Sequence, residues 1–458
     1  MSEEPADAEE LLAGLTSGPG WKRQRLLDRL SKGDRSPALE PLVAALRDAG
    51  RPERRNAARS ALTVLASPGS PSSELAIETL ARASRDKTDP GARILAVVAL
   101  GESGNPAAAD ALTPLLGSPD PNLGLAATEA LAETGGLGAL DALSRAARRS
   151  GPGDPGQLWV RQGAVAALGR LGERRAVPLL VELCADPETA DAAALALGEI
   201  GDREGMEGMR VALEQGADAE SVLEAAAALL ARSPEIHPPD WLRRAAGGRE
   251  PGWVQGLAAG KESAARLLGI AGSEEAAAVL VDAASEAESQ ELAVAGISLL
   301  PVEPLLDAVL AALPLAPAFS RAALLAVLPS SLDQSAVALV SGYLADPDPA
   351  VRKAAAAALA AAAALPEERV PDLLADPESG VRAAAARGAG RSGSHPPAAS
   401  RAVERLLDAL KDDDWEVRLA AVRALQRLAG TQSARALAQL ASSDPDPLVR
   451  EAAAGGRS

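Results

Sequence analysis

Aromatic residues are scarce in this sequence, which has five Trp, one Tyr and one Phe among 458 residues. The chain is nevertheless 47% hydrophobic, and alanine and leucine carry most of that share. A compact globule usually contains more large side chains, whereas Ala-rich helices bury a continuous core when each repeated unit packs against the next. The composition therefore favours an all-α array whose length sets the number of repeats.

Cysteine and histidine are also scarce, which limits the chemistry that the chain can carry. Cys184 is the single cysteine, so an internal disulfide framework is excluded. It ends an apolar helix, and we expect a buried small side chain there, with a reactive thiol as the alternative. His237 and His395 lie in Pro-rich loops, and we expect both to be solvated rather than to bind a metal or act in catalysis.

Common catalytic motifs are missing from the sequence. The stretch Gly260-Lys261-Glu262 lacks the upstream glycine and the following Ser or Thr of a phosphate-binding loop. No His-Glu-x-x-His, Gly-x-Ser-x-Gly or Cys-x-x-Cys occurs. We therefore expect a protein that is not an enzyme and that holds neither a cofactor nor a metal.

Positive charge is in the minority, with a formal net charge of −17 and a sequence pI near 4.8. The averaged field repels nucleic acid and anionic lipid. The first residues lack the basic and apolar regions of a secretory signal, and no run of about 18 apolar residues free of charge and proline indicates a membrane span. We expect a soluble, cytoplasmic and monomeric protein that does not bind membranes.

One phrase recurs along the C-terminal part of the chain, and Asp346-Pro347-Asp348-Pro349-Ala350-Val351-Arg352 is its fullest copy. Asp348 is suited to cap a helix, and Pro349 fits the first helical position. An apolar stripe of helical period follows from Val351 to Ala362. The arginines of successive copies, Arg352, Arg382, Arg418 and Arg450, are 30, 36 and 32 residues apart. A period of this size indicates a solenoid of helix pairs.

Helix pairs are also predicted in series from Leu39 onward. The second helix of successive units is marked by Leu62, Leu100, Leu131, Leu168, Leu197 and Leu229. Several of these helices end in Gly-x-x-Gly, as at Gly101–Gly104, and we expect the glycines to relieve the left-handed residue at the helix end.

Changes in this pattern predict four segments: an irregular helical cap over 1–38, repeats over 39–231, irregular and acidic repeats over 232–334, and repeats over 335–458. The Pro-rich stretch Ser233 to Trp241 is the candidate break between two arrays. From Glu250 to Ala345 there are eleven acidic residues against three basic ones, which makes the middle the most negative part.

These residues resemble the HEAT-repeat family, and the Gly-x-x-Gly-(Asp/Glu)-Arg…Ala-Val-Pro-Leu-Leu phrase resembles the short repeats first associated with phycobilin lyases. The resemblance covers about residues 39–454. It implies about 12–13 antiparallel helix pairs stacked into a right-handed superhelix. Deoxyhypusine hydroxylases share this fold but hold iron with several His-Glu pairs, and neither histidine here is followed by Glu.

The family also implies a ladder between repeats, made by an Asp and an Arg six residues later. Four pairs meet that spacing: Asp346/Arg352, Asp376/Arg382, Asp412/Arg418 and Asp444/Arg450. In the N-terminal half the spacing is not met, since Asp154 and Arg161 are seven apart and Ala192 stands where the unit at Asp186 would need Arg.

We expect such a chain to be a non-catalytic scaffold that binds a protein partner. A bilin lyase or chromophore chaperone is the alternative by resemblance. A DNA-repair role like that of HEAT-like glycosylases is a third reading, supported only by a basic strip at Arg418, Arg423 and Arg427.

The candidate partner site lies in the irregular central segment. The second helices, which in the family line a concave face, are rich in alanine and offer few anchors. The anchors must then be exceptional residues, and we expect them to be Trp241, Arg243, Arg244 and Trp253, because Trp and Arg are enriched in interface hot spots. The alternative is that the two tryptophans fill a gap where the stacking changes.

Overall fold

The structure is a computed structural model that describes residues 8–149, 155–286, 288–389, 396–428 and 431–455. Within these ranges the secondary structure consists of α-helices and short 3₁₀ segments, with no strand. The all-α solenoid predicted from the helical period is confirmed. The chain forms two compact units, residues 1–237 and 238–458, and the boundary between them falls in the Pro-rich stretch Ser233 to Trp241.

The first unit begins with two helices and continues as a series of helix pairs. Its 3₁₀ segments are Ser36–Ala38, Pro106–Ala108, Thr113–Gly117 and Arg174–Ala176. Its helices are α1 Ala8–Ser17, α2 Gly20–Leu30, α3 Leu39–Leu46, α4 Pro52–Ala66, α5 Ser73–Arg85, α6 Pro90–Glu102, α7 Ala109–Leu112, α8 Pro121–Thr134, α9 Gly136–Ala147, α10 Pro155–Leu171, α11 Val177–Leu183, α12 Ala190–Ile200, α13 Gly205–Glu214 and α14 Ala219–Arg232.

The second unit is also built of helix pairs, and they continue through the segment that the sequence marks as irregular. Its 3₁₀ segments are Tyr343–Ala345 and Glu367–Arg369. Its helices are α15 Asp240–Ala246, α16 Glu250–Ala258, α17 Glu262–Ala271, α18 Glu274–Ala284, α19 Gln290–Ile297, α20 Val302–Ala312, α21 Ala318–Ala326, α22 Gln334–Gly342, α23 Pro349–Ala361, α24 Val370–Leu373, α25 Ser379–Ala389, α26 Pro396–Ala409, α27 Trp415–Leu428, α28 Thr431–Ser443 and α29 Pro447–Ala453.

The second helices begin as the sequence predicts. The Asp348 carboxylate accepts the backbone N–H of Ala350 at 2.8 Å, and Pro349 is the first residue of α23. Asp446 caps α29 in the same way, accepting from Leu448 at 2.8 Å. An Asp cap satisfies a backbone donor that the first turn leaves without a partner, and proline has no donor to lose there.

The core of the first unit lies along the second helices α4, α6, α8, α10, α12 and α14, each of which packs on the next. The leucines that mark them in the sequence, Leu62, Leu100, Leu131, Leu168, Leu197 and Leu229, are all fully buried. In the second unit α21, α23, α25, α27 and α29 stack in the same way. Each second helix therefore uses its neighbour to bury its apolar stripe.

The two glycines of each Gly-x-x-Gly phrase have different roles, which corrects the expectation that both serve the helix end. Gly104, Gly172 and Gly201 have positive φ and end their helices. Gly169 is inside α10, and a Cβ there would lie 2.7 Å from the Cα of Ala196 on α12. The first glycine therefore allows two second helices to approach closely.

Candidate functional site

The charged ladder lies at the start of the second helices of the second unit. Arg418 on α27 donates from Nε to Asp444 Oδ2 at 2.8 Å and from Nη2 to Oδ1 at 3.0 Å, a bidentate ion pair with the next repeat. Its Nη1 donates to the backbone carbonyls of Asp412 at 2.8 Å and Asp413 at 3.1 Å. Each arginine thus links two turns: the turn before its own helix and the turn before the second helix of the next repeat.

The ion pairs of the ladder are not those that the six-residue spacing predicts. Asp412 does not pair its carboxylate with Arg418, because it accepts both bonds from Arg382, at 2.7 and 2.8 Å. The side-chain partner is therefore the arginine one repeat earlier, and the arginine six residues later reaches only the backbone carbonyl. Four rungs follow this rule in the second unit: Arg321–Asp346, Arg352–Asp376, Arg382–Asp412 and Arg418–Asp444.

The first unit contains one rung of the same kind, although the spacing rule gave none. Arg161 donates to Asp186 at 2.6 Å and to Glu188 at 3.1 Å, and its Nε reaches the Ala147 carbonyl at 2.9 Å. Asp154, the residue that the spacing test used, lies outside the described residues. The sequence indicates this rung when Arg161 is paired with Asp186 of the following unit rather than with Asp154 of its own unit.

The aspartates of the ladder have a second, local task. Asp444 Oδ1 accepts the backbone N–H of Asp446 at 2.8 Å, which fixes the turn before α29. Hydrogen bonds from Arg382 lower the pKa of Asp412, with burial acting in the opposite direction. Burial raises the pKa of Asp444, but the bonds from Arg418 and from the turn outweigh it, so the net pKa is lowered. These carboxylates stay ionised and bound, which makes the ladder a structural element.

The four residues proposed for partner binding are divided by the structure. Trp253 on α16 is only 6% exposed and belongs to the core. Arg243 on α15 donates to the carbonyls of Ile270 at 3.3 Å and Leu299 at 3.1 Å, so it binds carbonyls near the C-terminal ends of α17 and α19. Trp241 is half-buried and Arg244 is exposed on the same helix. The accessible part of this candidate site is therefore Trp241 and Arg244.

Large exposed side chains elsewhere form a second group of candidates. Trp21 on α2, Trp159 on α10 and Trp415 on α27 are 64%, 59% and 39% exposed. Leu448, at the start of α29, is exposed as well. Each lies in the first turns of its helix, beside the loop that precedes it. Composition points to the central segment and does not distinguish these positions from others.

A further charge feature was hidden by the net negative charge of the chain. Residues 21–60 contain eleven Lys and Arg against five Asp and Glu. Four of the eleven lie on α2, and Lys32 lies just beyond it. The helix α2 buries only Leu30. A window of local charge, rather than the total, would have found this basic region.

The part of the chain that the structure describes was expected to hold no metal. No group of three His, Cys, Asp or Glu side chains is placed to hold a metal ion there. Cys184 is fully buried, and burial raises the pKa of its thiol to about 12. His237 is exposed, and His395 lies outside the described residues. Among the described helices none is long and apolar enough to cross a membrane.

The fold thus defines the class as an α-helical repeat protein built from antiparallel pairs. A family model described as HEAT repeats matches residues 77–155 and 366–456, and one described as PBS lyase HEAT-like repeat matches residues 160–186. The chain contains HEAT repeats, as the recurring Asp-Pro and Gly-x-x-Gly phrases indicated. A search of curated proteins gives no match.

This chain is similar to known structures at low sequence identity. A homology model of the full-length AP-3 complex is 14% identical, with 97% of this chain and 85% of that chain covered and a TM-score of 0.55. Kap121p is 13% identical with a TM-score of 0.45, and 93% of this chain is covered. The chain spans about half, 52%, of the length of Kap121p. At this identity the likeness concerns the solenoid fold alone.

Proposed function

We propose that this protein is a non-catalytic HEAT-repeat scaffold that binds a protein partner. The observation that supports it is the exposure of Trp21, Trp159 and Trp415, three of the five tryptophans in the chain. A tryptophan buries about 150–250 Å² when covered. Leaving it exposed to water therefore gives up a large favourable free energy of burial. Tryptophan is also among the residues most enriched in interface hot spots.

The first candidate surface is α15, where Trp241 and Arg244 lie three residues apart on one face of the helix. The second is the start of α10, where Trp159 stands two residues before Arg161. The ion pair between Arg161 and Asp186 fixes this part of the helix. A partner that covers Trp159 therefore causes little further loss of conformational entropy.

The experiment is affinity capture with the full chain and matched variants. Trp241→Ala with Arg244→Ala, and separately Trp159→Ala, are compared with Arg203→Ala at an exposed position of the first unit. Loss of a hot spot typically costs at least about 2 kcal/mol of binding, roughly a thirtyfold weaker Kd. We expect one partner to be captured by the native chain and by Arg203→Ala and to be lost with at least one tryptophan variant.

The melting temperature separates a binding surface from a packing role. If Trp241→Ala/Arg244→Ala melts early, Trp241 fills the core and that surface is rejected. Capture by every stable variant at the native level would reject both surfaces. A shifted absorption band on mixing the protein with a bilin would instead favour the chromophore-binding alternative.

A further inference from the structure

A groove lies between the first two helices of the chain. It has a volume of about 740 Å³, within the range of sites that hold a ligand or the side chains of a peptide. The helices touch at Gly14, where a Cβ would lie 2.7 Å from the Leu26 side chain. Leu11 and Leu30, both buried, form its floor together with Leu26.

The rim of the groove is basic. Lys22 and Arg29 on α2 and Arg35 after it line the opening, against one acid, Glu10 on α1. Further basic side chains on the outer face of α2, Arg23 and Arg25, are exposed and make no ion pair with a described residue. This end of the unit therefore carries a local positive field on a chain whose net charge is −17.

A buried donor at this groove lacks a partner. The Nε–H of Arg35 is out of contact with solvent and has no hydrogen-bond acceptor among the described residues. The backbone N–H of Arg35 is held by Ser72 Oγ at 2.8 Å, so the residue is anchored to the start of α5. A buried donor without an acceptor is costly, which favours a turn of the Arg35 side chain towards a carboxylate that enters the groove.

We infer that this groove, the N-terminal groove, binds an acidic amphipathic segment of a partner protein. Its leucine floor takes apolar side chains, and Lys22 and Arg35 pair with carboxylates. A nucleic acid would leave the apolar floor unused. The inference rests on the proposed role as a protein-binding scaffold and assigns the chemistry of one partner.

The test uses the full chain and a fluorescein-labelled helical peptide with leucine on one face and glutamate on the other, measured by fluorescence anisotropy. Lys22→Gln with Arg35→Gln removes two charges from the rim. Arg145→Gln with Arg148→Gln removes the same charge from exposed positions at the C-terminal end of α9. We expect the first variant to bind about tenfold more weakly and the second to bind like the native chain.

Changes in the peptide test the basic rim and the apolar floor of the groove separately. Replacing its glutamates with glutamine should abolish binding, and replacing its leucines with alanine should weaken it. The inference is overturned by equal weakening in both protein variants or by no binding of the peptide. It is also overturned if a single-stranded oligonucleotide or anionic lipid vesicles bind more tightly than the peptide.

Failure of this inference and failure of the proposed function give different results. If the peptide does not bind but partner capture depends on Trp159 or Trp241, only the N-terminal groove is wrong. If the peptide binds as expected and the tryptophan variants capture the same proteins as the native chain, the tryptophan surfaces are wrong and the groove stands.

Discussion

Replacing Arg418 with methionine removes the guanidinium from the most buried rung of the ladder while keeping most of the apolar stem. Asp444, whose side chain is 2% exposed, then retains only the N–H of Asp446 as a described partner. Breaking a buried ion pair costs about 3–5 kcal/mol, because the remaining charge has lost its compensation. We expect about 3 kcal/mol, since the Arg418 side chain is 10% exposed.

The double-mutant cycle isolates the pair. Asp444→Asn keeps an acceptor for the turn but removes the charge, and we expect it to cost about 1–2 kcal/mol. In the double variant neither charge remains unpaired, so the coupling should be about 1–3 kcal/mol. Arg423→Met, at an exposed position on the same helix, is the matched control and should change stability by less than about 0.5 kcal/mol.

Native-state hydrogen exchange of α27 and α29 is the suitable measurement. Each repeat contacts only its neighbours, so these helices can open without unfolding the rest of the chain, and a single melting curve would average the effect. A coupling of zero within error, or equal losses with Arg423→Met, would refute the ladder. The cycle also tests the partner rule, because Asp412→Asn should couple with Arg382→Met much more strongly than with Arg418→Met.

Three further predictions concern close packing, pH and the thiol. Gly169→Ala should destabilise the first unit by about 1–3 kcal/mol in chemical denaturation, whereas Gly252→Ala, with nothing within 4 Å of the new Cβ, should be neutral or slightly stabilising; equal effects would contradict the packing role. The lowered pKa of Asp412 contributes stability that is present above its unfolded-state pKa and lost as pH falls through the folded one. Exchange protection of the C-terminal helices should therefore be flat from neutral pH to about 5 and fall below about pH 4, a fall that Asp412→Asn should reduce. Cys184 should react with a thiol reagent only after denaturation, and fast labelling of the native chain would contradict its burial.

Local signals of the helices could be predicted from the sequence because they depend on neighbours in the chain. Asp348 caps α23 and Pro349 begins it, as the Asp-Pro phrase predicts. The leucines such as Leu168 mark the second helices because burial on one face imposes a period of 3.6 residues.

Contacts between repeats could not be predicted in the same way. Asp412 has Arg418 six residues ahead and Arg382 thirty behind, and spacing alone does not tell which guanidinium reaches the carboxylate. Composition likewise does not tell whether a rare tryptophan packs or is exposed, and Trp253 is buried while Trp159 is not. Those outcomes depend on how one pair of helices is placed against the next.

The proposed function assigns both stacking and recognition to the helix α10. Arg161 in its second turn is bound to Asp186 and Glu188, and Gly169 near its end lies against Ala196 of α12. The helix is thus fixed to the next repeat at two points. Trp159 needs none of these contacts and remains exposed beside the fixed turn. A side chain held on a rigid helix loses little conformational entropy on binding. An exposed tryptophan at this position therefore suits a binding surface better than one on a mobile loop.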